Sequence, residues 1–352
     1  PNSAHEKKDK ERGSLGHINA ITSIGSSNKT KDERIGKFGI GFKSVFSYTE
    51  TPHIFDSEFQ FKIQDYIVPI ELTDKRKIKK NHTEFWFPFN KEDLKPKQAY
   101  KEILSKLKNL KETLLFLNHI KKISWSAKRD SGEQSFRIIS RENHLNTIVD
   151  YISYKRKINN LTESNLYYKF SKKIIGKENL YDSVAFLYDK HKRIILPKKR
   201  NAFCFFETKH ETYLNFLINS PFELIDNRER LKYTYEKDDW NTIRLKSLAK
   251  LSAESINLMS NHIDNVKVNA SILDIVPLKE IYTNDDLNFS IFYDEIIENF
   301  KSSNLLSSRG GENIDKSKAY WSKDIDLINL ISDNELSTIV RKEKCSFVYT
   351  DI

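Results

Sequence analysis

Three of the ten glycines in this 352-residue chain fall within six consecutive positions, in the run Gly36-Lys37-Phe38-Gly39-Ile40-Gly41-Phe42-Lys43-Ser44. Glycines at this spacing let the backbone turn tightly and bring bare amide groups against a ligand. The apolar stretch Val45 to Tyr48 follows at once and suits a helix. The N-terminal end of such a helix offers further amide donors and a dipole that favours an anion. On spacing alone the run fits a polyphosphate cradle and a plain structural turn equally well.

The length points to two or three domains. Hydrophobic residues make up 38% of the chain, with 22 Phe and 16 Tyr, which is enough for genuine cores. The net charge of +10 comes from 59 Lys and Arg against 49 Asp and Glu, which favours acidic partners such as nucleotides or nucleic acid. The basic residues are spread through a highly charged surface, and moderate basicity more often reflects solvation than a dedicated face. Cys204 and Cys345 are too few and too far apart for a metal cluster or a disulfide framework. A reduced, cytoplasmic protein is therefore expected. No apolar run is long enough to cross a bilayer, so no membrane partner is expected. His82, His119 and His210 lack metal-ligand partners at usable spacing.

Read along the chain, 18–24 is a short helical stretch and 25–34 a polar segment leading into the glycine run. Alternation over 53–70 suggests a hairpin, and 83–89 a further strand. The basic loop Lys75 to Lys80 between them reads either as a phosphate-binding arm or, in preference, as a solvated hairpin tip. Tyr100, Ile103, Leu104, Leu107 and Leu110 recur at helical spacing, and 114–117 is a short buried helix or the end of one. Strands are expected at 123–127, 135–140, 166–171, 183–188, 203–207 and 213–218. A long helix is expected at 240–259, and a Gly310-Gly311 turn lies among the short helices after 261. The domains read from this pattern are 1–119, 120–260 and 261–352.

The wider stretch from Ile24 to Phe46, with Ser26, Ser27 and Lys29 ahead of the glycines, resembles the ATP lid of the GHKL superfamily. Within it, the chain is most similar to the N-terminal ATPase region of sacsin-like proteins. The resemblance implies an α/β (α+β) fold. It comprises a GHKL-type two-layer α/β sandwich, a gyrase- and MutL-type β-α middle domain, and a partial further module. It implies ATP bound by Ser26, Ser27, Lys29, Gly36, Lys37, Phe38, Gly39, Ile40, Gly41, Phe42 and Lys43. Thr83 falls where the chaperone members place a strand Thr that helps hold adenine; its alternative is an ordinary strand Thr. The segment Ser220 to Glu229 looks like the one that supplies an arginine to the γ-phosphate, here Arg228. A guanidinium suits that role because its planar fork meets several phosphate oxygens. The alternative is a surface arginine paired with Asp226 or Glu229. Lys209 matches the corresponding gyrase lysine poorly.

Two motifs of the superfamily are not visible here. One is a helix carrying the general-base Glu and the magnesium-binding Asn; the other is an Asp-x-Gly turn for the adenine amino group. The expectation is a fragment of a longer polypeptide, with the magnesium ligand upstream of Pro1. The implied function is an ATPase switch in a chaperone-like or defence-type protein, in which nucleotide closes the lid, docks the second domain and promotes a homodimer. The rivals are a nucleotide-gated DNA clamp resembling MORC proteins, supported by basic clusters at 75–80, 190–193 and 198–200, and a catalytically dead scaffold.

Overall fold

In the computed structural model the chain is a mixed α/β protein that divides into two units, Pro1–Leu110 with Ile175–Asn179, and Lys111–Ile174 with Leu180–Ile352. The structure describes residues 17–22, 42–117, 119–177, 179–189, 194–198, 200–225, 229–233, 239–261, 275–282, 289–322 and 324–348.

The first unit rests on strand alternation. In β1 (His53–Phe55) and β2 (Gln60–Gln64), Ile54, Phe61 and Ile63 share one face, because Ile54 stands opposite Phe61 in register. With β3 (Val68–Glu71) and β4 (Glu84–Trp86) they form an antiparallel sheet in the order β3-β2-β1-β4. Phe46 joins those three side chains in a core, with Ile18, Ile21, Phe42 and Val45 packed on it. Ile18 and Ile21 come from a short helix, α1 (His17–Thr22), and the other residues from a 3-10 helix at Phe42–Ser47. The expected hairpin over 53–70 is thus three strands. The β2–β3 turn is made by Asp65 and Tyr66 at φ 50° and 66°, a left-handed pair that carries no glycine signal. Helix α2 (Pro96–Asn109) opens on a proline, whose missing N–H is unneeded in a first turn.

The second unit carries, among the described residues, a nine-stranded sheet. Its main path runs β12-β11-β13-β9-β8-β7-β6-β5, with β10 (Ile194–Ile195) beside β9. The long strands are β6 (Ser131–His144), β7 (Thr147–Ile158) and β8 (Leu161–Lys173), flanked by β5 (Lys122–Ser126) and β9 (Tyr181–Tyr188). At the edge pairing of β5 with β6, Trp125 stands opposite Gly132, and a β-carbon on Gly132 would run into the indole. The sequence reading of 203–207 as one strand is corrected to two strands: β11 (Asn201–Cys204) turns into β12 (Phe206–Glu211) at Phe205, which has φ 63°. The Phe205 N–H donates to Asn219 Oδ1 at 2.8 Å, from the end of β13 (Leu217–Asn219).

Each face of this sheet carries a packed layer over part of its width. On one, Phe170, Val184 and Phe186 meet Leu245, Leu248, Leu251 and Ile256 of α3 (Trp240–Asn261). Phe292 and Ile296 of α4 (Ser290–Ser302) extend that core. On the other, Ile152, Tyr154, Tyr167 and Ala185 meet Leu114, Leu115 and Phe116 of a 3-10 turn. Burying a large apolar side chain contributes about 1.5–3 kcal/mol, so these two layers dominate the stability of the unit. Toward the end of the chain, β14 (Leu306–Ser307) pairs with β15 (Asn313–Ile314), and β16 (Ala319–Tyr320) runs parallel to β17 (Ser346–Phe347). Gly311 turns the first pair at φ 84°. Between β16 and β17 lie α5 (Ile325–Leu330) and α6 (Asp333–Val340), the latter started by a reciprocal Ser332–Glu335 capping box.

Candidate functional site

Ser26, Ser27, Lys29, Gly36, Lys37, Phe38, Gly39, Ile40, Gly41 and Arg228 lie outside the described residues. Phe42, Lys43 and Thr83 lie within them. Phe42 opens the 3-10 helix that follows the glycine run, and its ring sits 6.0 Å from Phe85 and 6.4 Å from Phe87. The start of that helix is therefore anchored on the segment that Thr83 opens.

Lys43 is a brace. Its ammonium donates to the carbonyl of Thr22 at 3.2 Å and to the carbonyl of Tyr66, tying the 3-10 helix to α1 and to the β2–β3 turn. Partial burial pushes its pKa below the ordinary lysine value. A phosphate would have to compete with those two carbonyls for the ammonium.

Thr83 donates its hydroxyl to Asp56 Oδ2 at 3.2 Å. Asp56 is buried at the end of β1, and its Oδ1 accepts the Glu58 backbone N–H at 3.2 Å. The sequence reading did not single out Asp56. Its only signal is a carboxylate that closes an apolar strand, 27 positions before its partner. With its proton engaged by Asp56, the Thr83 oxygen offers lone pairs. Acceptors of this kind beside aromatic rings suit a ligand edge rich in N–H donors, such as the amino group of a base.

The start of the basic loop is held rather than free. Gln60 clamps Arg76 through both backbone groups, accepting its N–H and donating to its carbonyl, each at 2.7 Å. The Arg76 guanidinium lies 4.1 Å from the Phe55 ring centroid and 2.7 Å from Glu84 Oε1. A guanidinium stacked and paired in this way is poorly placed to reach out for phosphate.

In the second unit, the residues flanking Arg228 are organised. Leu224 bridges to Leu231, the Ile225 N–H donates to the Arg230 carbonyl at 3.0 Å, and the Lys232 N–H donates to the Glu223 carbonyl at 2.9 Å. Lys209 borders this segment, donating its backbone N–H to the Glu229 carbonyl at 2.6 Å and pairing its ammonium with the Glu229 carboxylate. Among the described residues no cluster of three or more His, Cys, Asp or Glu side chains could hold a metal ion. His210 stacks on Phe289 at 5.6 Å, and no described helix is long and apolar enough to cross a membrane. Comparison with protein-family models, curated proteins and solved structures gives no match for this chain.

Proposed function

We propose that this chain carries an ATP-binding and ATP-hydrolysing switch module of GHKL type, in a chaperone-like or defence-type cytoplasmic protein that pairs as a homodimer. The observation that carries the reading is the glycine run Gly36 to Ser44 with its serine-rich approach. Two structural facts support it. Phe42 fixes the exit of the run on the aromatic strand segment, and Thr83 with Asp56 forms an acceptor pair at the start of that segment. In this reading the backbone amides of Gly36, Gly39 and Gly41 hold the phosphates, while Thr83 and Asp56 hold the base. Magnesium enters bound to the phosphate oxygens, whose charge it neutralises. No described residue is assigned to it.

The test is calorimetric titration of a non-hydrolysable ATP analogue into the full-length protein. Gly39→Val or Gly41→Val should abolish binding, because a branched side chain blocks close approach of the phosphates and disfavours positive φ. Thr83→Ala should weaken binding by about tenfold, the equivalent of one hydrogen bond at ~1.4 kcal/mol. Unchanged affinity in a folded Gly41→Val protein would show that the run is only a turn.

A further inference from the structure

Lys155, Arg156 and Lys157 are consecutive in β7, and the two-residue period of a strand separates them. Arg156 turns to the face of Ile152 and Tyr154 and pairs with Glu163 at 3.1 Å. Lys155 and Lys157 turn to the opposite face and are exposed. On that face Lys155 stands beside Ser135 of β6 and Ser164 of β8, and Lys157 beside Glu133 and Thr162. One strand further out, Ser135 stands beside Lys122 of β5. Arg137, opposite Ser153, extends the same exposed field.

Helix α3 packs on this face against β8 and β9, and the field over β5 to β7 is open to solvent. Among the described residues four cations there meet one carboxylate. Glu133 pairs with Lys122 at 2.7 Å, and the Lys122 hydrogen bond, with the charges of Lys122 and Lys157, holds its pKa below the usual carboxylate range. Among the described residues Arg137, Lys155 and Lys157 make no ion pair. The remaining positions are hydroxyls, which donate well to phosphate oxygens. No aromatic ring stands among them, so the field lacks the platform on which single-stranded bases stack.

We propose that this open half-face binds the phosphate backbone of duplex nucleic acid without reading its sequence. Lys122 and Lys155 are two strand spacings apart, ~10 Å, and Arg137 and Lys157 are four residues offset along the strands, ~13 Å. That reach suits phosphates on the two sides of a groove about 12 Å wide. The surface is separate from the basic runs that the sequence alone brings forward, and it does not depend on the nucleotide reading.

The experiment is fluorescence anisotropy of a labelled DNA duplex with the full chain, titrated across about 50 to 200 mM salt. The chain should bind duplexes of unrelated sequence alike. Lys155→Ala with Lys157→Ala should weaken binding and make the slope of log K against log salt shallower by about 2 units; Arg137→Ala should remove about 1 more. Lys155→Arg with Lys157→Arg should keep both affinity and slope, as should Lys79→Ala with Lys80→Ala and Gly41→Val. An unchanged slope in the double alanine variant, with native melting, would overturn the proposal. So would binding of phosphatidylserine vesicles through these lysines with no binding of duplex.

Discussion

The carboxamide of Asn241 grips both backbone groups of Glu223: its Oδ1 accepts the Glu223 N–H and its Nδ2 donates to the Glu223 carbonyl, each at 2.8 Å. The same Nδ2 donates to the Lys232 carbonyl at 2.7 Å, and the neighbouring Trp240 donates its indole N–H to the Pro221 carbonyl at 2.7 Å. Two adjacent residues at the start of α3 thus hold both limbs of the loop that carries Arg228.

Asn241→Ala should therefore destabilise the second unit by roughly 2–5 kcal/mol, because each orphaned buried group costs about 1–3 kcal/mol. Asn241→Asp should do no better, since a second oxygen would face two carbonyls. Urea unfolding measures this, and a loss below about 1 kcal/mol would mean that Trp240 and the Leu224–Leu231 bridge hold the loop without Asn241.

Arg244 of α3 reaches Asp182 of β9 at 3.1 Å, and Asp182 also accepts the Ser220 hydroxyl at 2.7 Å. Both charged side chains are buried, so the attraction between them does little more than offset their desolvation. Arg244→Met alone should cost about 3–5 kcal/mol by stranding a carboxylate. Asp182→Asn combined with Arg244→Met should recover much of that loss. Strict additivity of the two single changes in a thermal-melting cycle would contradict the coupling.

Glu112 sits at a left-handed φ of 50° and accepts the Tyr167 hydroxyl at 3.3 Å. Burial raises its pKa, against the opposing pull of Lys111. The folded chain then holds this proton more tightly than the unfolded chain does. Its contribution to stability is complete below the ordinary carboxyl value of 4.5 and declines as pH rises through the raised folded value. Glu112→Gln should flatten this decline. Unfolding free energies across that range, compared between wild type and variant, measure it; parallel profiles would place the pH dependence elsewhere.

Arg228 is tested by kinetics. If it stabilises charge on a transferred phosphoryl group, Arg228→Ala should lower turnover strongly with little change in nucleotide affinity. Arginine fingers elsewhere are worth on the order of 10³ to 10⁵ in rate, an upper guide here. Arg228→Lys should restore only part, because a point charge lacks the planar fork. Turnover within a few-fold of wild type in Arg228→Ala would make it a surface residue.

Local periodicity was legible; spatial partnership was not. The apolar spacing from Tyr100 to Leu110 and from Leu245 to Ile256 corresponds to helices α2 and α3. Strand β7 escaped notice because Lys155 to Lys157 interrupt its apolar alternation, and neighbouring strands rather than hydrophobicity hold that end in place. Phe205 hid a turn, since nothing in a phenylalanine announces a positive φ. In the candidate site, Thr83 was legible as a strand opener. Its partner Asp56 was not, because only the pairing of β1 with β4 brings them together.

The Trp125–Gly132 pair gives the rim of the large sheet a gauge for its own assembly. Sliding β6 by one place along β5 would set Ser131 or Glu133 beneath the indole, where any β-carbon collides. Of the 14 residues in β6, Gly132 alone is a glycine. The outermost strand can therefore seat fully in one alignment only. A one-place slip would also turn Phe136 and Ile138 of the same strand away from the core they pack against.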